Sequence, residues 1–574
     1  MGKVRFLESA GSLFGWLWKP RPPEEALFSL TSASTPLPPD AKVLETYKLD
    51  NGVGVQIGVT PKGKGLFYIQ EPSLDNTELR LFRKIMAHLA YEMPFEISVH
   101  GTRLSPDELS KQIQSATSRI VGTYRTKGLK AVYRFATPKI LYYVTRDVVG
   151  FGPIDALFHE PNLEDLKSEG YGIPFIVINR KYSALRWMET NVTLDPNGQD
   201  ALGLQLAHMG GRSLSTAFPI VEAMLPSRHR LMVVYGREVS QKGTALEVRL
   251  FRAEPYTISY LIRTGTLSPL MAAYLWMILE SRGSILIVGE TGSGKTSVTC
   301  ALGMLIHPAM SVLTIEDIPE LKFPHDHWLP LTTRSSYSIE RAEVGGGRRQ
   351  GGGGRRAGEI GQFDLLRVAL RVRPDFIIVG EVIGEEAQTL FQAVAVGQSG
   401  ITTMHSLDVN AAYQRLTTRP IDTPGALVAG LDCIITYRRL RMPNGLFERR
   451  ISDIHEPAGI SPADIGKFRP IFNWDPSGDW FVPSSAEEVI QKSRVLIKYA
   501  QRQGTSLEEL TQDLNEKTAF LSSLVQRSID KYADVVNEVR DYYSSKLPPL
   551  QVQPSASMTP SSAFDLMMRK LNTT

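Results

Sequence analysis

Near the middle of the chain stands Gly289-Glu-Thr-Gly-Ser-Gly-Lys-Thr296, which satisfies G-x-x-x-x-G-K-[ST] at every fixed position. A strand-like run, Ser284–Val288, leads into it and a helix-like run, Ser297–Ile306, leads out. No other feature narrows the fold as much, because a loop of this kind needs a parallel strand behind it and a helix N-terminus ahead. Its glycines let backbone N–H groups turn inward around a β-phosphate. Lys295 brings a point charge to the β and γ oxygens, and the Thr296 hydroxyl suits Mg²⁺. The helix N-terminus adds a favourable partial charge. The candidate nucleotide-binding residues are Gly289, Glu290, Thr291, Gly292, Ser293, Gly294, Lys295, Thr296 and Ser297, with ATP and Mg²⁺ as the expected ligands.

The surrounding text supports a parallel sheet. Strand-like runs at Ile285–Val288, Val312–Ile315, Phe376–Val379, Ile401–Met404 and Cys433–Tyr437 alternate with helical text. Leu267–Ser281 reads as an apolar-faced helix entered through Ser268-Pro269, an N-cap followed by N1 proline. A length of 574 residues exceeds a single core, so three or four folding units are expected. Residues 1–40 read as an amphipathic segment with a Pro/Ser-rich linker, 41–149 as an α/β domain, and 150–255 as a second domain of short strands and turns. Residues 256–475 read as the P-loop domain, 476–546 as a helical region and 547–574 as a disordered tail. The fold class is therefore α/β, with smaller N-terminal α/β (α+β) domains and a helical C-terminal extension. In that extension Leu507, Leu510, Leu514, Leu521 and Leu524 fall on one face, the pattern of core packing.

Composition sets the outer limits. The 64 basic and 60 acidic residues leave a net charge of +4, which argues against bulk nucleic-acid binding. Two cysteines, Cys300 and Cys433, exclude a disulfide framework and a cysteine-rich zinc module. No apolar run reaches the ~18–20 residues that span a bilayer. The segment Lys3–Arg21 carries Phe6, Phe14, Trp16 and Trp18 between basic ends. It reads either as a membrane- or partner-facing amphipathic segment or as a helix packed on its own domain. Gly345–Gly361 holds nine glycines and two arginine pairs, a flexible loop whose arginines either keep it solvated or touch a phosphate or partner.

A P-loop needs one carboxylate for the metal and another to orient water. Glu316-Asp317 follows the run Val312–Ile315 and Glu381 follows Phe376–Val379, at strand ends where parallel sheets place their ligands. Thr314-Ile-Glu316-Asp317-Ile-Pro-Glu320-Leu resembles the aspartate box of the type II/IV secretion ATPase superfamily. Leu370-Arg371-x-Arg373-Pro374-Asp375-x-Ile-Ile-Val-Gly380-Glu381-Val382 resembles its atypical Walker B, and Gly397-Gln398-Ser399-Gly400-Ile-Thr-Thr-Met-His405-Ser406 its histidine box. Pro324-His325-Asp326-His327-Trp328 is similar to the archaeal branch of archaellum and pilus assembly motors. Phe151-Gly152-Pro153-Ile154 and Gly211-Arg212-Ser213-Leu214-Ser215 resemble the domain that precedes the motor. The likeness covers about residues 41–543.

The resemblance implies a RecA-like ATPase core in a homo-hexamer. The ring would be cytoplasmic, peripherally attached to the cell membrane through a polytopic platform protein, and would power a pilus or archaellum. It implies Glu316 as general base, Glu381 holding Mg²⁺ through water, and His405 sensing the γ-phosphate; strand-end position alone leaves the two glutamates exchangeable. Arg212, Arg230 and Arg249 become candidates to reach a neighbouring subunit's nucleotide. Three departures stand out: Gln398 in place of the first histidine of its box, Ile383 in place of an arginine, and the Gly/Arg insert. Two rivals follow from the residues: a RecA-like nucleic-acid translocase, and a non-catalytic nucleotide-gated scaffold.

Overall fold

Alternating burial marks one half of the chain and continuous burial the other. The structure, a computed structural model, describes residues 32–99, 108, 111–117, 133–252, 254–334, 360–384, 386–442, 447–459 and 461–546. The aromatic N-terminal segment, nearly all of the Gly/Arg insert and the C-terminal tail lie outside the described residues. The chain divides into two compact units, one formed by the described residues of Met1–Ala253 with Met442–Phe447, the other by Glu254–Arg441 with those of Glu448–Thr574.

In the first unit the strands are β1 (Lys42–Lys48), β2 (Gly54–Val59), β3 (Gly65–Gln70), β4 (Leu163–Ser168) and β5 (Ile176–Asn179). They continue as β6 (Trp187–Thr190), β7 (Ile220–Met224), β8 (Arg230–Val234) and β9 (Ala245–Arg249). Val177 and Asn179 on β5, Leu231 and Val233 on β8, and Leu246 and Val248 on β9 are buried, with less buried residues between them. That alternation is expected where one sheet face meets a core. All nine strands form one sheet, ordered β1-β2-β3-β6-β5-β4-β9-β8-β7. Because β3 pairs directly with β6, the stretches 41–149 and 150–255 share a sheet, where the sequence reading separated them. Within the second stretch, Pro196–Met209 is a helix, not strand or turn: Asp195 Oδ1 accepts from Gly198 N at 2.9 Å and Pro196 sits at N1.

The second unit holds β10 (Ser284–Gly289), β11 (Val312–Glu316), β12 (Trp328–Thr332), β13 (Phe376–Val379) and β14 (Ser399–His405). It continues with β15 (Cys433–Arg441), β16 (Phe447–Pro457), β17 (Phe468–Asp475) and β18 (Trp480–Val482). Every residue of β10, β11 and β13 is buried, as parallel strands covered on both faces require. The order is β12-β11-β13-β14-β10-β15-β16-β17-β18. Pairing is parallel from β12 through β15, and β17 is antiparallel to both β16 and β18. This is a RecA-like α/β core with the P-loop strand inside the sheet. β18 falls in the stretch read as helical; it pairs with β17 through Asn473, Trp474 and Asp475.

The helix Pro269–Glu280 is buried all round from Leu270 to Leu279. Its Ser268 cap accepts from Met271 N at 3.1 Å. Leu510, Leu514, Leu521 and Leu524 of the helix Leu507–Gln526, and Val535, Val536 and Val539 of the helix Tyr532–Lys546, belong to the same hydrophobic cluster. Trp276 Nε1 donates to Tyr543 OH at 2.7 Å, and Lys517 pairs with Glu280 at 3.0 Å. The helical extension is part of the P-loop unit's core. Ile360, within the Gly/Arg insert, forms an antiparallel bridge with Arg334.

Candidate nucleotide site

Strand register brings the site together. Gly289, last residue of β10, lies opposite His405 on one side and Tyr437 on the other. The loop then turns through Gly292 (φ 73°) and Gly294 (φ 102°), left-handed conformations that favour glycine. A Cβ at Gly289 would stand 2.4 Å from the Tyr437 carbonyl oxygen, so no other residue fits there. Gly294 caps the helix Lys295–Gly303, whose N-terminal N–H groups and dipole favour an anion.

Lys295 is buried, with 7% of its surface exposed. Its ammonium donates to the carbonyls of Gly289 and Glu290, both at 3.1 Å, and to His405 Nδ1 at 3.0 Å. All three acceptors can be neutral, so the buried cation has no direct counter-ion there, an arrangement that calls for an anionic ligand. Burial holds the Lys295 pKa below the ordinary lysine value, with Glu381 opposing that shift. On the other side of the ring, His405 Nε2 lies 3.1 Å from Glu381 Oε1. An ammonium can only donate, so Nδ1 accepts and Nε2–H donates to the carboxylate, the neutral Nε2–H tautomer. Thr291 Oγ1 lies 3.4 Å from the same Nδ1. The structure thus links Lys295, His405 and Glu381 in one chain.

Glu316 is buried elsewhere in the strand-end row. Its Oε1 accepts from Glu320 N and Leu321 N, both at 2.9 Å, which closes the turn that follows β11. Gly380 makes room for it, since a Cβ there would approach Glu316 Cγ to 3.2 Å. Asp317 accepts from Thr333 Oγ1 at 3.0 Å. Thr296 and Ser297 are half-buried in the first turn of the P-loop helix.

Of the departures from the family pattern, Gln398 lies at the opposite end of the sheet. It precedes Ser399, the first residue of β14, and its Nε2 donates to the Pro374 carbonyl at 3.0 Å. His405 ends the same strand, about 20 Å away at strand rise. Ile383 is half exposed, and its N–H donates to Glu386 Oε1 at 2.8 Å. Arg212, Arg230 and Arg249 lie in the first unit. Arg230 and Arg249 stand opposite each other on β8 and β9; Arg249 pairs with Asp165 at 3.0 Å and Arg230 with Glu222 at 3.5 Å.

Two neighbours of the loop carry no motif. Tyr437 lies under Gly294, and Arg449 Nε donates to the Ser293 carbonyl at 2.9 Å. Only the sheet order β10-β15-β16 brings them there, and no local sequence signal encodes it.

Comparison with known proteins agrees with this geometry. The model of the Type II/IV secretion system protein family matches residues 204–452, which contain every loop described above. The chain is 29% identical over 514 residues to the uncharacterized protein MJ0900 of Methanocaldococcus jannaschii, covering 87% of this chain and 89% of that one. It is 34% identical over 286 residues to MJ1287 of the same organism, covering 49% of this chain and 97% of the relative. The type IV secretion system protein PtlH of Bordetella pertussis is 28% identical over 292 residues, covering 45% of this chain and 81% of PtlH. The chain belongs to the type II/IV secretion system protein family, and its relatives include archaeal proteins.

Proposed function

We propose that this protein hydrolyses ATP and couples the reaction to assembly or secretion of a surface filament. The observation that carries the reading is the buried Lys295 ammonium, set on a glycine loop at a helix N-terminus and joined through His405 to Glu381. Loop N–H groups and Lys295 bind the β- and γ-phosphates, and His405 reads the γ-phosphate from the β14 side. Thr296, with Glu381 through water, would hold Mg²⁺, which when bound offsets charge on those phosphates. Glu316 orients the attacking water as general base; Glu381 is the alternative, being the carboxylate already tied to the loop.

In this reading six copies form a ring, and Arg212, Arg230 and Arg249 reach the neighbouring subunit's nucleotide. The ring docks from the cytoplasm on a polytopic membrane platform protein and attaches peripherally. The filament is a pilus or an archaellum. PtlH, named as a type IV secretion system protein, supports the secretion setting. The far-end position of Gln398 removes one motive for a non-catalytic scaffold.

Turnover of the full chain with MgATP tests the reading. Lys295→Ala should fall to background, and turnover within a few-fold of wild type would sink it. Glu316→Gln should keep ATP bound while slowing cleavage by about 10²-fold or more. If only Glu381→Gln behaves so, the two glutamates exchange roles.

A further inference from the structure

Arg449 and Arg450 are adjacent near the start of β16 but sit in unlike surroundings. Arg450 is buried and ion-paired with Asp479 at 2.8 Å and Glu448 at 2.5 Å, a partnership that serves the fold. Arg449 is half-buried, and among the described residues it has no ion pair. Its one side-chain hydrogen bond there runs from Nε to the Ser293 carbonyl. A Cβ at Gly294 would lie 3.4 Å from that Nε and 3.2 Å from Tyr437 Cε1, so Arg449 and Tyr437 pack directly on the loop. A guanidinium keeps its charge at any physiological pH and carries five N–H donors. Here one is spent on the loop's backbone.

Sheet order gives its direction. His405 and Glu381 approach the loop from the β14 and β13 side, where the Lys295 ammonium lies. Arg449 arrives from the other side, past β15. With the γ-phosphate at Lys295 and His405, the opposite side faces the α-phosphate end of the nucleotide.

We propose that Arg449 binds the nucleotide of its own subunit, fixing Ser293–Gly294 through the Ser293 carbonyl and donating its remaining N–H groups to the α-phosphate. The proposal rests on the nucleotide reading above and adds a group that ADP and ATP should feel equally. Arg449 would hold the diphosphate after cleavage, whereas His405 distinguishes ATP from ADP.

The test is calorimetric binding of MgADP and of a non-hydrolysable MgATP analogue to the full chain, with steady-state kinetics alongside. Arg449→Ala should weaken both ligands by a similar factor, about tenfold to a hundredfold for a lost charged hydrogen bond. KM should rise while kcat stays within about twofold, the mark of uniform binding. Arg449→Lys should recover part of the affinity as a point charge. Arg449→Gln keeps a donor for the Ser293 carbonyl but no charge, and should stay weak even if Arg449→Ala perturbs the fold. His405→Ala should discriminate between the two ligands where Arg449→Ala does not. Wild-type ADP affinity in Arg449→Ala and Arg449→Gln overturns the proposal, as does a loss confined to the ATP analogue. A wild-type chain that binds neither ligand overturns the nucleotide reading itself.

Discussion

At the scale of single residues, the site turns on the charge state of Lys295. Burial lowers its pKa from the ordinary 10.5, and the neighbouring Glu381 only partly counters this. The charged form is the one that phosphates bind, so affinity should be flat near neutrality. It should fall as pH rises through the lowered pKa, earlier than an ordinary lysine would allow. Above that point each pH unit costs up to about tenfold in affinity. Bound phosphate raises the pKa again, so binding in that window takes up a proton. Measured ADP dissociation constants between neutral and alkaline pH should show this for wild type. Lys295→Arg, charged throughout, should show a flatter curve, and parallel curves for the two proteins would refute the assignment. Residue by residue, the loop and Glu381 were legible as fixed letters after runs of apolar residues, and the place of His405 at a strand end through the resemblance of its segment to a histidine box. The link between them was not. It depends on β14 lying between β10 and β13, and strand order is not written in local sequence. The same reason hides Arg449, which lies 156 positions from Ser293.

At the scale of elements, hydrophobic periodicity located the strands of the P-loop unit well. Phe376–Val379 is a strand over the residues read from sequence, because four consecutive apolar residues suit a fully buried parallel strand. Less was legible where pattern and partner conflict. Trp480–Val482 is three residues long with two exposed side chains, an apolar run too short to mark a strand by itself. Its strand character comes from pairing with β17. The helix Leu507–Gln526 is the reverse case, since its apolar face was legible but its target was not. That face enters the cluster that covers Pro269–Glu280. Leu514 is fully buried there, so Leu514→Ala should destabilise the P-loop unit by about 2–5 kcal/mol. In a chain of two units the relevant thermal transition is the one that ADP raises, because ligand stabilises only the unit that binds it. A drop in that transition is the expected result. A loss below about 1 kcal/mol would show that the extension packs as a separable appendage.

At the scale of the whole molecule, binding and hydrolysis should differ in their need for neighbours. On the proposed reading the second unit alone supplies Lys295, Thr296, His405, Glu381, Glu316 and Arg449, so nucleotide binding should need no neighbour. Arg230 and Arg249 stand side by side on the first unit's sheet, each with an acidic partner. If they complete the site of an adjacent copy, a single subunit binds ATP yet cleaves it slowly. ADP affinity should then be independent of protein concentration. Specific ATPase activity should climb with concentration and level off once rings form. ATP, whose γ-phosphate those arginines would reach, should shift that climb to lower concentration, because its binding energy favours the assembled state, whereas ADP should not. Replacing Arg230 and Arg249 together by alanine should leave ADP binding and ring formation near wild type while lowering the plateau activity by about 10³-fold, the scale of an arginine supplied in trans. Activity and mass are to be read on the same samples, by turnover assay and light scattering. Full specific activity in samples that scatter as monomers would exclude a shared site, whatever the ring's other uses.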